Sequence, residues 1–155
     1  KGPLSVRDIV CFMMGGGTLY YKAHRYFYEY QKRHPAVGMI DHTTGIVDIP
    51  ELVHLESTRA SEIGVPLAYD YGPQRVSWLG HLMTNWMGDD SFLKKMRVEV
   101  RRFNMVGDTT WCKGKVTEKR IENGEHLARC EIWGENQRDE INAKGWAVVV
   151  LPSKE

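Results

Sequence analysis

Residues 72–90 read GPQRVSWLGHLMTNWMGDD, and the reading of this stretch decides the fold. Pro73 suits the first helical position, where a missing N–H has no intrahelical partner to lose. Val76, Leu79, Met83 and Trp86 recur at helical spacing, and Trp78 and Leu82 widen the stripe. Gly88 is a stop signal. The spacing predicts a helix over 73–87 that is apolar around much of its girth, and therefore buried on more than one side.

Four strand-like runs follow this helix. KKMRVEVRRF alternates Met96, Val98 and Val100 with Arg97, Glu99 and Arg101, a period of two. TTWCKGKVTEKR and HLARCEIWGEN flank Asn123-Gly124, a pair suited to a tight hairpin. Gly107-Asp108 marks another turn, and INAKGWAVVVLP ends the series. Strands joined by such short turns pair antiparallel. The expected class is α+β: an antiparallel sheet curled around one central helix.

The part before residue 70 is less regular. SVRDIVCFMMGG is read as a helix facing inward through Val6, Ile9, Val10 and Met13, with Ser5 and Asp8 as a capping box. YYKAHRYFYEYQKRH is read as a second helix that His34-Pro35 ends. AVGMIDHTTGIVDIP is read as loop. No repeat or low-complexity segment interrupts the chain, and its 155 residues are enough for a single domain, 1–155.

Composition excludes several classes. A formal net charge of +1 gives no field for nucleic acid or an anionic membrane. No apolar run approaches the ~20 residues of a bilayer span, and the opening KGPLSVRDIV has no signal-peptide core. Lys1 in place of Met suggests a trimmed or excised start. Cys11, Cys112 and Cys130 have no metal spacing, and three is odd. A reduced, cytoplasmic setting is expected, with each cysteine a small buried hydrophobe. The six scattered histidines offer no metal pattern, so no metal is expected.

One stretch raises catalysis directly. Residues 48–56, DIPELVHLE, carry Asp48, then His54, then Glu56. The spacing fits either an acid/base pair or a charged loop.

The order of elements resembles the MaoC-like hydratases and dehydratases of the hotdog fold, including the (R)-specific enoyl-CoA hydratases. VHLESTRASEIGVP at 53–66 is similar to that family's His-x-acid, Ala, Gly-x-Pro segment. YGPQRVSWLGHLMTNWMGDD at 71–90 stands at its central helix. VEVRRFNMVGDTTWCKGKVTEKR at 98–120 and AVVVLP at 147–152 match its strand, turn, strand and closing strand. The resemblance covers nearly the whole chain. The family's signature Gly-Asp-x-Asn-Pro-x-His is altered here. GTLYYKAH at 17–24 has Thr18 at the acid and Tyr20-Tyr21 at Asn-Pro, ending on His24. VDIPELVH at 47–54 has Asp48 six residues before His54 rather than five. The motif looks interrupted by a long N-terminal insert, about 20–47.

The resemblance implies reversible addition of water to a 2-enoyl-CoA thioester, with no cofactor. His54 and Asp48 would handle the protons, with His24 and Glu56 in reserve. Gly72, with Gln74, would offer N–H groups to the thioester oxygen at a helix N-terminus, with Tyr71 before them. Tyr20, Tyr21 and the aromatics at 26–30 would line an acyl pocket, and Arg75, Arg101 or Arg102 would meet the CoA phosphates. A homodimer, or pairing with another hotdog domain, is implied. The alternatives are a non-catalytic acyl-CoA-binding subunit and a hotdog thioesterase.

Overall fold

The computed structural model of the chain describes residues 1–16, 25–36 and 38–153. Contacts gather into two compact units: Lys1–Leu4 with Gly72–Glu155, and Ser5–Tyr71.

In the larger unit the central helix α4 spans Gly72–Met87. Gly88 follows at φ 76° with its N–H on the Thr84 carbonyl, which ends the helix where the sequence placed its stop. Strands β3 (Phe92–Val100), β4 (Thr110–Glu122), β5 (Glu125–Asn136) and β6 (Ile141–Leu151) form one antiparallel sheet in the order β3-β6-β5-β4. The β4–β5 hairpin closes on Asn123 (φ 52°) and Gly124 (φ 81°), the two positive angles that a type I′ turn requires.

α4 contacts all four strands. A flat sheet four strands wide would leave its outer strands beyond reach of one helix, so the sheet must curl about α4. Leu79 and Met83 pack there against Cys130, Ile132, Ala143, Ala147 and Val149, the inward members of β5 and β6. This is the hotdog arrangement expected from residues 72–152. Trp86, expected inside, is 47% exposed, because it lies at the last turn where the stripe leaves the sheet.

Buried polar groups fix the ends of the strands. Asp108 takes a bidentate bond from Arg138, at 2.8 Å to each oxygen, and further bonds from Gln137 and the Met105 N–H. These bonds, those from Arg138 above all, hold its carboxyl below the usual carboxylate range. Asn104, Thr110 and Asn142 bond one another at 2.8–3.1 Å with at most 1% exposure. Lys1–Leu4 joins this unit through the Leu4 N–H on the Asp108 carbonyl and the Thr110 N–H on the Lys1 carbonyl.

The smaller unit begins with α1 (Val6–Gly16), capped as expected: the Ser5 N–H donates to Asp8 at 2.9 Å, and the Asp8 N–H donates to the Ser5 hydroxyl. α2 spans Arg25–Arg33. The stretch expected to be loop instead contains a small hairpin, β1 (Met39–Ile40) against β2 (Val47–Asp48). Asp41 builds its turn by accepting the Thr43 and Thr44 N–H groups. A 3₁₀ turn over Pro50–His54 and a short helix α3 (Ser57–Glu62) complete the unit. Arg59 on α3 is buried and donates to the Ile40 carbonyl at 2.6 Å, which ties α3 to the hairpin.

The cysteines are all free. Cys130 lies in the core and Cys112 beside it, but Cys11 is exposed on the outer side of α1, contrary to expectation. Burial pushes the Cys112 and Cys130 thiols up. No helix among the described residues is long and apolar enough to cross a membrane.

Candidate functional site

His54 ends the 3₁₀ turn, half-buried. Its Nδ1 lies 3.0 Å from the Tyr69 carbonyl oxygen. A carbonyl only accepts, so Nδ1 carries the hydrogen and donates it. In its neutral form a ring that donates through Nδ1 has its lone pair on Nε2, the form a general base needs. Two rings meet the imidazole edge-on, Tyr69 at 4.5 Å and Tyr71 at 5.2 Å between centroids. Phe12 of α1 lies 6.5 Å from the Tyr71 ring. The imidazole thus meets the Tyr69 carbonyl and an aromatic collar. Burial and the adjacent Asp70 carboxylate push the Tyr69 phenol up.

Three acids surround His54 in sequence, and their settings differ. Asp48, at the end of β2, accepts the Ile49 N–H at 2.7 Å, the bond of a turn residue. Glu56, which immediately precedes α3, is exposed and stands 3.7 Å from the buried Arg59. Glu51, passed over in the sequence, is 5% exposed within the same 3₁₀ turn as His54. Burial pushes its carboxyl above the usual range, against an opposing bond from its own N–H. Asp70, also passed over, is 1% exposed.

His24, Tyr20 and Tyr21 fall outside the described residues. Tyr26 and Tyr28 on α2 are about half exposed, and Tyr26 stacks on Tyr30 at 6.5 Å.

In the larger unit, Gly72 opens α4 without a positive φ. A Cβ there would meet only Val100 Cγ2 among the described residues, at 3.9 Å. Neither turn geometry nor packing therefore demands a glycine. Gln74, in the first turn of α4, is buried. Arg75, expected as a surface charge able to reach a phosphate, is instead 3% exposed and donates to the Asn142 carbonyl at 2.7 Å and to the Arg102 carbonyl. It clips the end of β3 to the start of β6. Arg101 pairs with Glu99, and Arg102 with Glu140 at 3.0 Å. His81 is exposed, with the Lys1 ammonium 2.8 Å from its Nδ1. Beneath α4 lies an apolar cavity of about 80 Å³, lined by Leu82, Met83, Trp86, Val116 and Cys130. Among the described residues no group of three acids, histidines or cysteines could hold a metal.

No protein-family model and no curated protein matches the sequence. Solved structures do match. An R-hydratase, PhaJ1 from Pseudomonas aeruginosa, is similar at a TM-score of 0.67 and 16% identity, over 97% of this chain and 76% of that one. A MaoC-like dehydratase from Rhodospirillum rubrum is similar at 0.59 and 15%, over 66% and 75%. The HadBC (3R-hydroxyacyl-ACP dehydratase) complex from Mycobacterium tuberculosis is similar at 0.53 and 10%, over 79% and 82%. The chain therefore has the hotdog fold shared by these R-hydratases and MaoC-like dehydratases.

Proposed function

We propose that the protein is a hydro-lyase of the MaoC-like kind, adding water reversibly to a 2-enoyl thioester carried on CoA. The observation that carries this reading is the 3.0 Å contact between His54 Nδ1 and the Tyr69 carbonyl oxygen. An Nδ1–H donated to that carbonyl suits Nε2 to taking a proton from water. The hydroxide oxygen then bonds the substrate β-carbon, and negative charge develops on the thioester oxygen. The backbone N–H groups of Gly72 and Gln74, at the positive end of the α4 dipole, suit that charge. Glycine at 72, which packing does not require, suits a carbonyl drawn close to the backbone. A carboxyl group completes the proton inventory by serving the α-carbon.

The fold's relatives include a two-chain dehydratase complex, and β3 is an edge strand of the sheet. The working unit is accordingly a pair of hotdog domains, either two copies of this chain or this chain with another.

A second reading, an acyl-CoA-binding subunit without turnover, draws on the use of Asp48 as a turn residue. Purified protein incubated with crotonyl-CoA and longer enoyl-CoAs separates the readings. Loss of the conjugated enoyl absorbance is expected. Binding without turnover supports the subunit, and release of free thiol marks a thioesterase.

A further inference from the structure

The turn that leads into His54 holds one further acid, Glu51. Pro50–His54 is a 3₁₀ turn, not an α-helix. At three residues per turn, side chains three apart eclipse one another. Glu51 and His54 are three apart, so they project from one side of the turn. Asp48 precedes the turn, at the end of β2.

The setting of Glu51 is costly. It is 5% exposed, and its Oε2 has no hydrogen-bond partner among the described residues. A carboxylate in that condition is destabilised, and a glutamine or leucine would suit the fold better. Burial accordingly favours the protonated acid. A buried carboxyl whose protonated form burial favours, on the side of the turn that carries His54, suits the division of labour that hydration needs.

We propose that Glu51 is the catalytic carboxyl group of this chain: it holds the proton that passes to the substrate α-carbon while His54 takes one from water. The proposal rests on the hydratase reading above. In the hydration direction His54 Nε2 accepts a proton from water, and the water oxygen bonds the β-carbon. The π pair moves to the α-carbon, which takes the Glu51 proton. Glu51 is left as carboxylate and His54 as imidazolium, and a proton returning from His54 to Glu51 through solvent resets the pair. In dehydration the Glu51 carboxylate removes the α-proton.

Glu51→Gln, Glu51→Asp and Asp48→Asn are compared with the wild-type chain for crotonyl-CoA hydration and thermal melting. Glu51→Gln is expected to lower kcat on the order of 10²- to 10⁴-fold with little change in KM. Its melting temperature is expected to stay level or rise, because the amide removes a buried acid that opposes folding. Glu51→Asp is expected to recover part of the loss, and Asp48→Asn to cost less than Glu51→Gln. A Glu51→Gln protein that keeps kcat, or loses it together with its melting temperature, overturns the proposal. So does a larger kcat loss in Asp48→Asn. Wild-type turnover alongside an active Glu51→Gln defeats this assignment alone, whereas a wild-type chain inert toward every enoyl-CoA defeats the hydratase reading as well.

Discussion

At the residue scale, identity matters less than what each side chain is already doing. His54 gives one nitrogen to the Tyr69 carbonyl, and the proposed reaction uses the other. Arg75 gives its charge to two backbone carbonyls and is thereby removed from ligand binding. Gly72 is unusual in the opposite sense, since nothing described in the protein needs it to lack a side chain. Gly72→Ala is therefore expected to melt at or slightly above the wild-type temperature, alanine being the better helix former. Its kcat should fall on the order of 10²-fold, because the methyl group blocks the close approach of the thioester oxygen. Steady-state kinetics beside a melting curve checks both halves. A variant that melts earlier and stays active would return Gly72 to a structural role.

The site was only partly legible in the sequence. His54 stood out because its neighbours match a familiar pattern. Glu51, the carboxyl proposed above, did not, because the same comparison directs attention to an acid five or six residues upstream. The relevant geometry is the three-residue repeat of a 3₁₀ turn, which Pro50 hints at but does not specify. The burial of Glu51 and Asp70 depends on side chains distant in sequence, which spacing cannot convey.

At the scale of elements, the strong periods decided the outcome. α4 and the four strands follow from a 3.6-residue stripe, four alternating runs and an Asn-Gly turn, and the structure places them there. The β1–β2 hairpin was missed because two-residue strands carry no period; it is held by Asp41 and Arg59, through polar bonds rather than a hydrophobic face. The same kind of bond organises the turn before β4. The Asp108 carboxylate sits below its usual range chiefly because Arg138 grips it. A depressed carboxyl stabilises the fold above the unfolded value of about 3.9 and loses that contribution as pH falls through the folded value. Asp108→Asn should lower the melting temperature at pH 7 on the order of a few degrees. The difference from wild type should shrink below about pH 4. Melting curves across pH 3–7 test this, and a constant gap would mean that shape rather than charge holds the turn.

At the scale of the whole molecule, the four-stranded sheet ends on β3 and β4, and among the described residues β3 pairs only with β6. Edge strands of this length are normally covered or blunted, and β3 carries Lys94, Lys95, Arg97 and Glu99 along it. Pairing of hotdog domains predicts that light scattering on purified protein gives twice the 17.8 kDa of one chain, or that one chain alone stays single until its partner is added. A lone chain that is fully active would remove the need for a pair.

The central claim is that His54 is the base of an enoyl-thioester hydratase. Its most direct test is the rate of enoyl absorbance loss from crotonyl-CoA with wild-type protein and with His54→Gln. The expected result is wild-type turnover, reduced on the order of 10²- to 10⁴-fold in the variant with its melting curve unchanged. Equal rates from the two proteins, or release of free CoA thiol by the wild type, would contradict it.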